Sequence, residues 1–223
     1  MKYPWKRHIL VFLPLLVMMC GVYICLGSEE NIEAFFAAAR NENPTLTAMA
    51  GAFSKYGNIG FYLVYGIALL EGLRTGRKQF IRFALSYVAG LLTTLLLTDI
   101  AKTAIGRPRP LTDGEWTPFS DNRSYRSFPS GHVAETLITI LPLSHRFSSW
   151  LVSLALGVSP MIMGLSRLYL GRHHPSDFLG SIVVGSIGGV VAWRVYNFLK
   201  TVNFIKREKR AVKSTLLVGT PQH

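Results

Sequence analysis

The chain has 223 residues, of which 49% are hydrophobic and 16% charged, and its mean hydropathy is +0.30. That is a membrane composition for a single domain, 1–223, whose apolar runs use nearly all of the length. In a soluble protein a formal net charge of +12 would point to nucleic acid; here no soluble segment is left to bind it, and loop charges that set topology account for the excess.

Lys2, Lys6 and Arg7 precede an apolar run from about Ile9 to Leu26. A cleaved signal ending at Gly27-Ser28 is one reading, but the length of the run and the spans after it favour a retained first span. Cys20 and Cys25 lie in this run, as lipid-facing or packed thiols. From Ser28 to Tyr56 apolar residues recur at helical spacing: Ile32, Phe35, Phe36 and Ala39 before Pro44, then Leu46, Met49, Ala50 and Phe53 after it. Two short amphipathic helices at the membrane surface are expected, as a cap over their neighbours or as a gate for lipid.

The second span covers about Gly57 to Leu70 and is followed by a basic loop with Arg74, Arg77, Lys78 and Arg82. The third, about Phe83 to Ile100, brings Asp99 and Lys102 to one helix face at its end. A polar loop from Thr103 to Pro129 leads into a short fourth span, about His132 to Leu143, which Glu135 and Pro142 interrupt. After a tight turn at His145 and Arg146, the fifth span covers about Trp150 to Leu165 and the sixth about Phe178 to Phe198. Gly180, Gly185, Gly188 and Gly189 suit close helix packing in the sixth.

The expected fold is all-α, a polytopic bundle of six transmembrane helices with short interfacial helices on the outer face. Six spans put both termini on one side, together with Lys2, Lys6, Arg7, the Arg74 to Arg82 loop, Arg146 and a basic tail at about 199–223. The positive-inside rule makes that side the cytoplasm. The opposite side collects Lys102, Arg107, Arg109, Arg123, Arg126, Arg167 and Arg172, along with His132, His173 and Asp177. These cations run against the charge bias, and a phosphate group at the outer face is the simplest local reason.

The polar residues fall in three clusters: Lys102 with Arg109-Pro110, Pro129-Ser130-Gly131-His132 at the start of the fourth span, and Ser166-Arg167 with His173 and Asp177. Free N–H groups at a helix start bind anions, and glycine permits close approach. Pro175 suits the first turn of a helix, which places His173 just before that helix and Asp177 within its first turn. A carboxylate holding one imidazole nitrogen fixes the tautomer and leaves the other free to attack. Phosphoryl transfer spreads negative charge over equatorial oxygens, so fixed cations and N–H donors supply much of the catalysis, while two histidines divide attack and proton donation. No Cys, His or carboxylate cluster at metal spacing accompanies them, so neither a metal nor another cofactor is expected. Arg107 competes with Arg109 for the phosphate, and His174 with His173 for the attack; chemistry alone does not choose.

Taken together, Lys-x6-Arg-Pro, Pro-Ser-Gly-His and Ser-Arg-x5-His-x3-Asp, in this order, resemble the three-part signature of the type 2 phosphatidic acid phosphatase (PAP2) family in its membrane-bound branch. Every defining position matches, the motif-bearing region Lys102 to Asp177 covers about a third of the chain, and the motif spacing favours Arg109 and His173. The resemblance implies a metal-independent phosphatase in which His173 attacks phosphorus and Asp177 orients it. Lys102, Arg109 and Arg167 would bind the phosphoryl oxygens, Ser130 and Gly131 would add hydrogen bonds, and His132 would protonate the leaving oxygen. The implied substrate is a membrane lipid phosphate or diphosphate: phosphatidate, phosphatidylglycerophosphate, an undecaprenyl carrier or a lipid A type anchor, met at the periplasmic face of a bacterial inner membrane. A lipid phosphotransferase, a vanadate-holding haloperoxidase and a noncatalytic lipid-binding or transport protein are the alternatives, and the run of spans argues against the haloperoxidase.

Overall fold

The computed structural model describes residues 2–218, with side chains as far as residue 202. The basic side chains expected in the tail beyond that point lie outside the described residues. Eight α-helices follow one another, and there are no strands among the described residues. They are α1 (Trp5–Leu26), α2 (Glu29–Glu42), α3 (Pro44–Tyr56), α4 (Ile59–Thr75), α5 (Lys78–Ile105), α6 (Gly131–Ser144), α7 (Trp150–Tyr169) and α8 (Asp177–Val218). Of these, α1, α5, α7 and α8 over Asp177–Val202 are long and apolar enough to cross a membrane. The other two helices in the predicted spans are shorter, α4 with 17 residues and α6 with 14.

Local chemistry explains the ends. The Ser28 hydroxyl accepts from the Asn31 backbone N–H at 3.2 Å, and Glu29, Glu30 and Arg40 complement the dipole of α2. Pro44 opens α3, where its missing N–H matters least. Gly106 closes α5 at φ 62°, a left-handed conformation that lets the chain turn back sharply. The loop after it is fastened by backbone hydrogen bonds: Thr117 N–H to Gly106 C=O at 2.8 Å, Phe119 to Thr103 at 2.7 Å, Arg109 to Ser124 at 2.8 Å and Ser127 to Arg107 at 3.0 Å.

The largest helix pairs are α5 with α8 and α1 with α7. The α5–α8 crossing is close because glycines meet: a Cβ on Gly90 would lie 2.6 Å from the Gly188 carbonyl. The predicted role of the α8 glycines is thus seen at Gly188, and also at Gly185 and Gly189, which face Leu137 and Leu141 of α6, while Gly180 faces the Phe128 ring of the loop.

The shortest predicted span turns out to be the centre of the bundle. Helix α6 touches α1, α4, α5, α7 and α8, and it is buried without a break from Thr136 through Pro142. Glu135 and Pro142 do not interrupt it. Glu135 accepts a hydrogen bond from the Tyr62 hydroxyl of α4, which satisfies the carboxylate without breaking the helix. Pro142 lies two residues before the end, where the helix is closing anyway. One further expectation is corrected. Helix α8 begins at Asp177, so Pro175 sits in the preceding turn and not in the helix. Asp99 and Lys102 are both on α5; Asp99 pairs with Arg126, whose carbonyl accepts from Lys102 Nζ at 2.7 Å.

Candidate active site

One end of the bundle gathers the C-terminal ends of α5 and α7, the starts of α2, α6 and α8, and the loop from Gly106 to Ser130. Three stretches distant in sequence, the start of α2, the end of α5 through the start of α6, and the end of α7 through the start of α8, therefore contribute side chains to one place.

His173 lies in the turn between α7 and α8, with only 3% of its surface exposed. Its Nδ1 is 3.2 Å from Asp177 Oδ2. Burial lowers the His173 pKa to about 3, even though the Asp177 carboxylate works in the opposite direction. The ring is therefore neutral near pH 7; an Nδ1–H directed at Asp177 leaves Nε2 with its lone pair. Asp177 has no exposed surface and four donors: Ser127 Oγ at 2.6 Å, the His174 N–H at 2.9 Å, His173 Nδ1, and Arg107 Nη1 at 2.8 Å. A carboxylate held this firmly fixes the imidazole in one orientation.

Arg107 and Arg109, which the sequence left in competition, have different positions. Arg107 forks between two acids, with Nη2 2.5 Å from Glu29 Oε2 and Nη1 on Asp177 and Ser176 Oγ. Arg109 forms no ion pair among the described residues, and its Nε is buried without a hydrogen-bond partner. Burial and then the nearby Arg172 charge lower its pKa. His174 is likewise occupied: its Nε2 faces the Pro108 carbonyl at 3.3 Å, and its Nδ1 is 3.5 Å from Glu29.

The remaining predicted residues surround the same place. Arg167 donates from Nη1 to Ser54 Oγ of α3 at 2.6 Å, while its Nε, like the buried Ser130 Oγ, has no partner. Ser130 precedes α6 and Gly131 begins it, with the Gly131 Cα side facing the Lys102 Cε methylene; a Cβ there would lie 3.7 Å away. Lys102, Arg109 and Arg167 are all within electrostatic reach of the His132 ring on the first turn of α6. Lys102 and Arg167 are also within reach of His173. The structure thus brings together all eight residues predicted for the site.

Three contributors were missed, and a fourth, Arg126, was counted only as one of the outer-face cations. Glu29 holds Arg107 and Ser176 from the start of α2, and its pKa falls because hydrogen bonds from Ser176 and Tyr23 and the Arg107 charge outweigh burial. Ser127 supports Asp177, Ser54 steers Arg167, and Arg126 anchors Lys102. Among the three missed, only Glu29 gave a signal, an acid beside a helix-capping Ser28, and that signal is equally that of an ordinary helix start.

Buried cations without counterions, unsatisfied donors and a neutral imidazole oriented by a carboxylate can bind a phosphoryl group and attack it. The sequence matches the PAP2 superfamily over residues 83–201, more than half of the chain, and the chain belongs to that superfamily. It is 25% identical over 189 residues to the undecaprenyl-diphosphatase BcrC of Bacillus subtilis, covering 83% of this chain and 95% of that protein. It is 26% identical over 189 residues to phosphatidylglycerophosphatase B of Bacillus subtilis, covering 80% and 89%. Identity to the lipid A 1-phosphatase of Rhizobium etli is 30% over 134 residues, covering 56% and 57%. No solved structure matches the chain. This membership places the chain among phosphoester and diphosphate hydrolases.

Proposed function

We propose that this protein is a metal-independent phosphatase that removes the terminal phosphate from a membrane lipid phosphate or diphosphate through a phosphohistidine at His173. The observation that carries the reading is the set of buried, unpartnered donors, Arg109 Nε, Arg167 Nε and Ser130 Oγ, beside the His173–Asp177 pair. Unsatisfied buried donors are rare in folded proteins, and phosphoryl oxygens would satisfy these.

In this mechanism Lys102, Arg109, Arg167, Ser130 Oγ and the Gly131 N–H hold the non-bridging oxygens. His173 Nε2 attacks phosphorus, a nitrogen–phosphorus bond forms, and the bond to the leaving oxygen breaks as that oxygen takes the proton of His132. Water then attacks the phosphohistidine and gives a proton back to His132, and the nitrogen–phosphorus bond breaks to release inorganic phosphate and restore His173. Asp177 keeps the ring oriented throughout and stabilises the charge it acquires.

A cavity of about 520 Å³ between α2, α3 and α7 supports a lipid as the substrate. Its walls include Phe36, Leu46, Met49, Phe53 and Leu165, and it reaches Ser166, next to Arg167. An acyl or isoprenyl chain in this cavity would put its phosphate at the cationic end. We place six spans in the membrane, adding α4 and α6 to the four long helices, with α2 and α3 at the outer interface and the site facing away from the cytoplasm. The basic Arg74 to Arg82 connection on the opposite side supports this orientation. The names of the relatives supply the test panel: an undecaprenyl diphosphate, a phosphatidylglycerophosphate and a lipid A phosphate. Purified protein should release phosphate from at least one of them in the presence of a strong chelator, and acid-labile phosphate should be trapped on the parent and absent from His173→Ala. Loss of activity in chelator, restored by an added divalent ion, would overturn the mechanism.

A further inference from the structure

The end of the bundle opposite His173 carries a second cationic pocket. It has a volume of about 260 Å³ and lies between α5, α8 and the turn from α6 to α7. Phe83, Trp193 and Tyr196 form an apolar wall, and His145, Arg146 and Lys200 supply polar groups. Two guanidinium groups flank the Tyr196 ring: Arg146 Cζ is 4.9 Å from its centroid and Arg82 Cζ 5.8 Å. Arg146 also donates to the Tyr196 hydroxyl at 2.8 Å and lies 5.0 Å over the Phe83 ring. Aromatic faces hold these cations in place without neutralising them.

The charge at this end is not balanced by acids. Among the described residues, the one ion pair at this end joins Arg74 and Glu71 on α4, and neither Arg82, Arg146 nor Lys200 has an acidic partner. Two buried nitrogens, Arg82 Nε and His145 Nε2, have no hydrogen-bond partner. Tryptophan and tyrosine beside arginine and lysine at the end of spanning helices mark headgroup depth. Basic pockets between spanning helices on the basic side of a membrane protein suit phosphate headgroups of anionic lipids.

We infer that this pocket is a binding site for an anionic phospholipid of the leaflet opposite the His173 site. The phosphate meets Arg146, Lys200 and the orphan His145 nitrogen, Arg82 over the Tyr196 ring adds positive charge, and the first carbons of the acyl chains lie along Phe83 and Trp193. The site is separate from catalysis, so this inference does not depend on the proposed phosphatase mechanism.

The test uses the full chain in detergent micelles, titrated with phosphatidylglycerol, with phosphatidylcholine and with free glycerol phosphate, and native mass spectrometry as the readout. Phosphatidylglycerol should be retained in preference to phosphatidylcholine, with its affinity falling about fivefold for each charge removed in Arg82→Gln, Arg146→Gln and Lys200→Gln. Arg146→Lys should restore part of that loss. Lys200 is exposed, so its substitution tests the charge without risk to the core. An unchanged melting temperature of the detergent-solubilised protein verifies that each variant is folded. Equal retention of the two lipids, or undiminished phosphatidylglycerol binding in the folded Lys200→Gln and Arg146→Gln proteins, overturns the site. Glycerol phosphate competing as well as the lipid overturns the assignment to a lipid and leaves a free-anion site.

Discussion

Arg107 and Arg109 are two residues apart, both guanidinium groups, and both near the reacting centre, yet the structure assigns them opposite consequences when neutralised. The Arg107 side chain is 11% exposed and joins Glu29, 25% exposed, to Asp177, which is not exposed at all. Removing it leaves Asp177 with three donors and takes the cation from Glu29. Losing one partner of a buried ion pair costs about 3–5 kcal/mol. For a chain of this size that corresponds to about 6–20 °C in melting temperature. Arg107→Gln should show this loss in thermal unfolding of the detergent-solubilised protein, and Arg107→Lys, which keeps the charge but not the fork, should fall between. Arg109 has no acid to abandon and one buried nitrogen already unsatisfied. Arg109→Gln should leave the melting temperature nearly unchanged while phosphate release drops about a hundredfold to a thousandfold. Activity also falls in Arg107→Gln because Asp177 is released, so stability is the discriminating measurement. A stable, inactive Arg107→Gln beside an unstable Arg109→Gln would show that Arg107 holds the phosphate.

The neutral burial of His173 makes an acid-dependent stability loss: its folded pKa of about 3 lies below the unfolded value, so the unfolded chain takes up the proton first as pH falls. This contribution is absent above about pH 6.5 and grows by about 1.4 kcal/mol per pH unit below it, so His173→Gln should gain about 2 kcal/mol relative to the parent between pH 7.5 and 5; a constant difference in denaturant midpoints refutes it. His132→Ala should lose about a hundredfold to ten-thousandfold on a lipid monoester and much less on an aryl phosphate, whose leaving group needs no proton; equal losses on both would remove His132 from the proton-donor role. In a background lacking Cys20 and Cys25, a cysteine at Thr75 should be shielded from an impermeant thiol reagent in intact cells and one at Ser120 labelled; the reverse pattern inverts the proposed orientation.

The sequence made the residues proposed to react legible because their chemistry is local and their spacing is specific. His173 and Asp177 are four residues apart across the turn that opens α8, and their contact follows from the chain alone. The choice of Arg109 over Arg107 rested on motif spacing, and its physical reason was hidden: Arg107 is occupied by Glu29, which is distant in the chain. No periodicity encodes a contact across that separation. The central place of α6 was obscured for a related reason. A helix buried on every side shows no amphipathic face, and Glu135 read as an interruption because its partner Tyr62 belongs to another helix.

The shortness of α6 sets a depth. At 14 residues it rises about 21 Å, roughly 9 Å less than the hydrocarbon core of a bilayer. In the proposed orientation Gly131 and His132 at its start, with Ser130 just before them, would form the floor of a well, and the chain from Gly106 to Ser130, fastened to the end of α5, its rim. A lipid phosphate, and the water that hydrolyses the proposed phosphohistidine, would then descend to that floor, where the dielectric is lower and each cation acts more strongly. Inserting a turn at the start of α6 would raise the floor toward the headgroups and separate Ser130 and Gly131 from Lys102 without altering a single catalytic side chain.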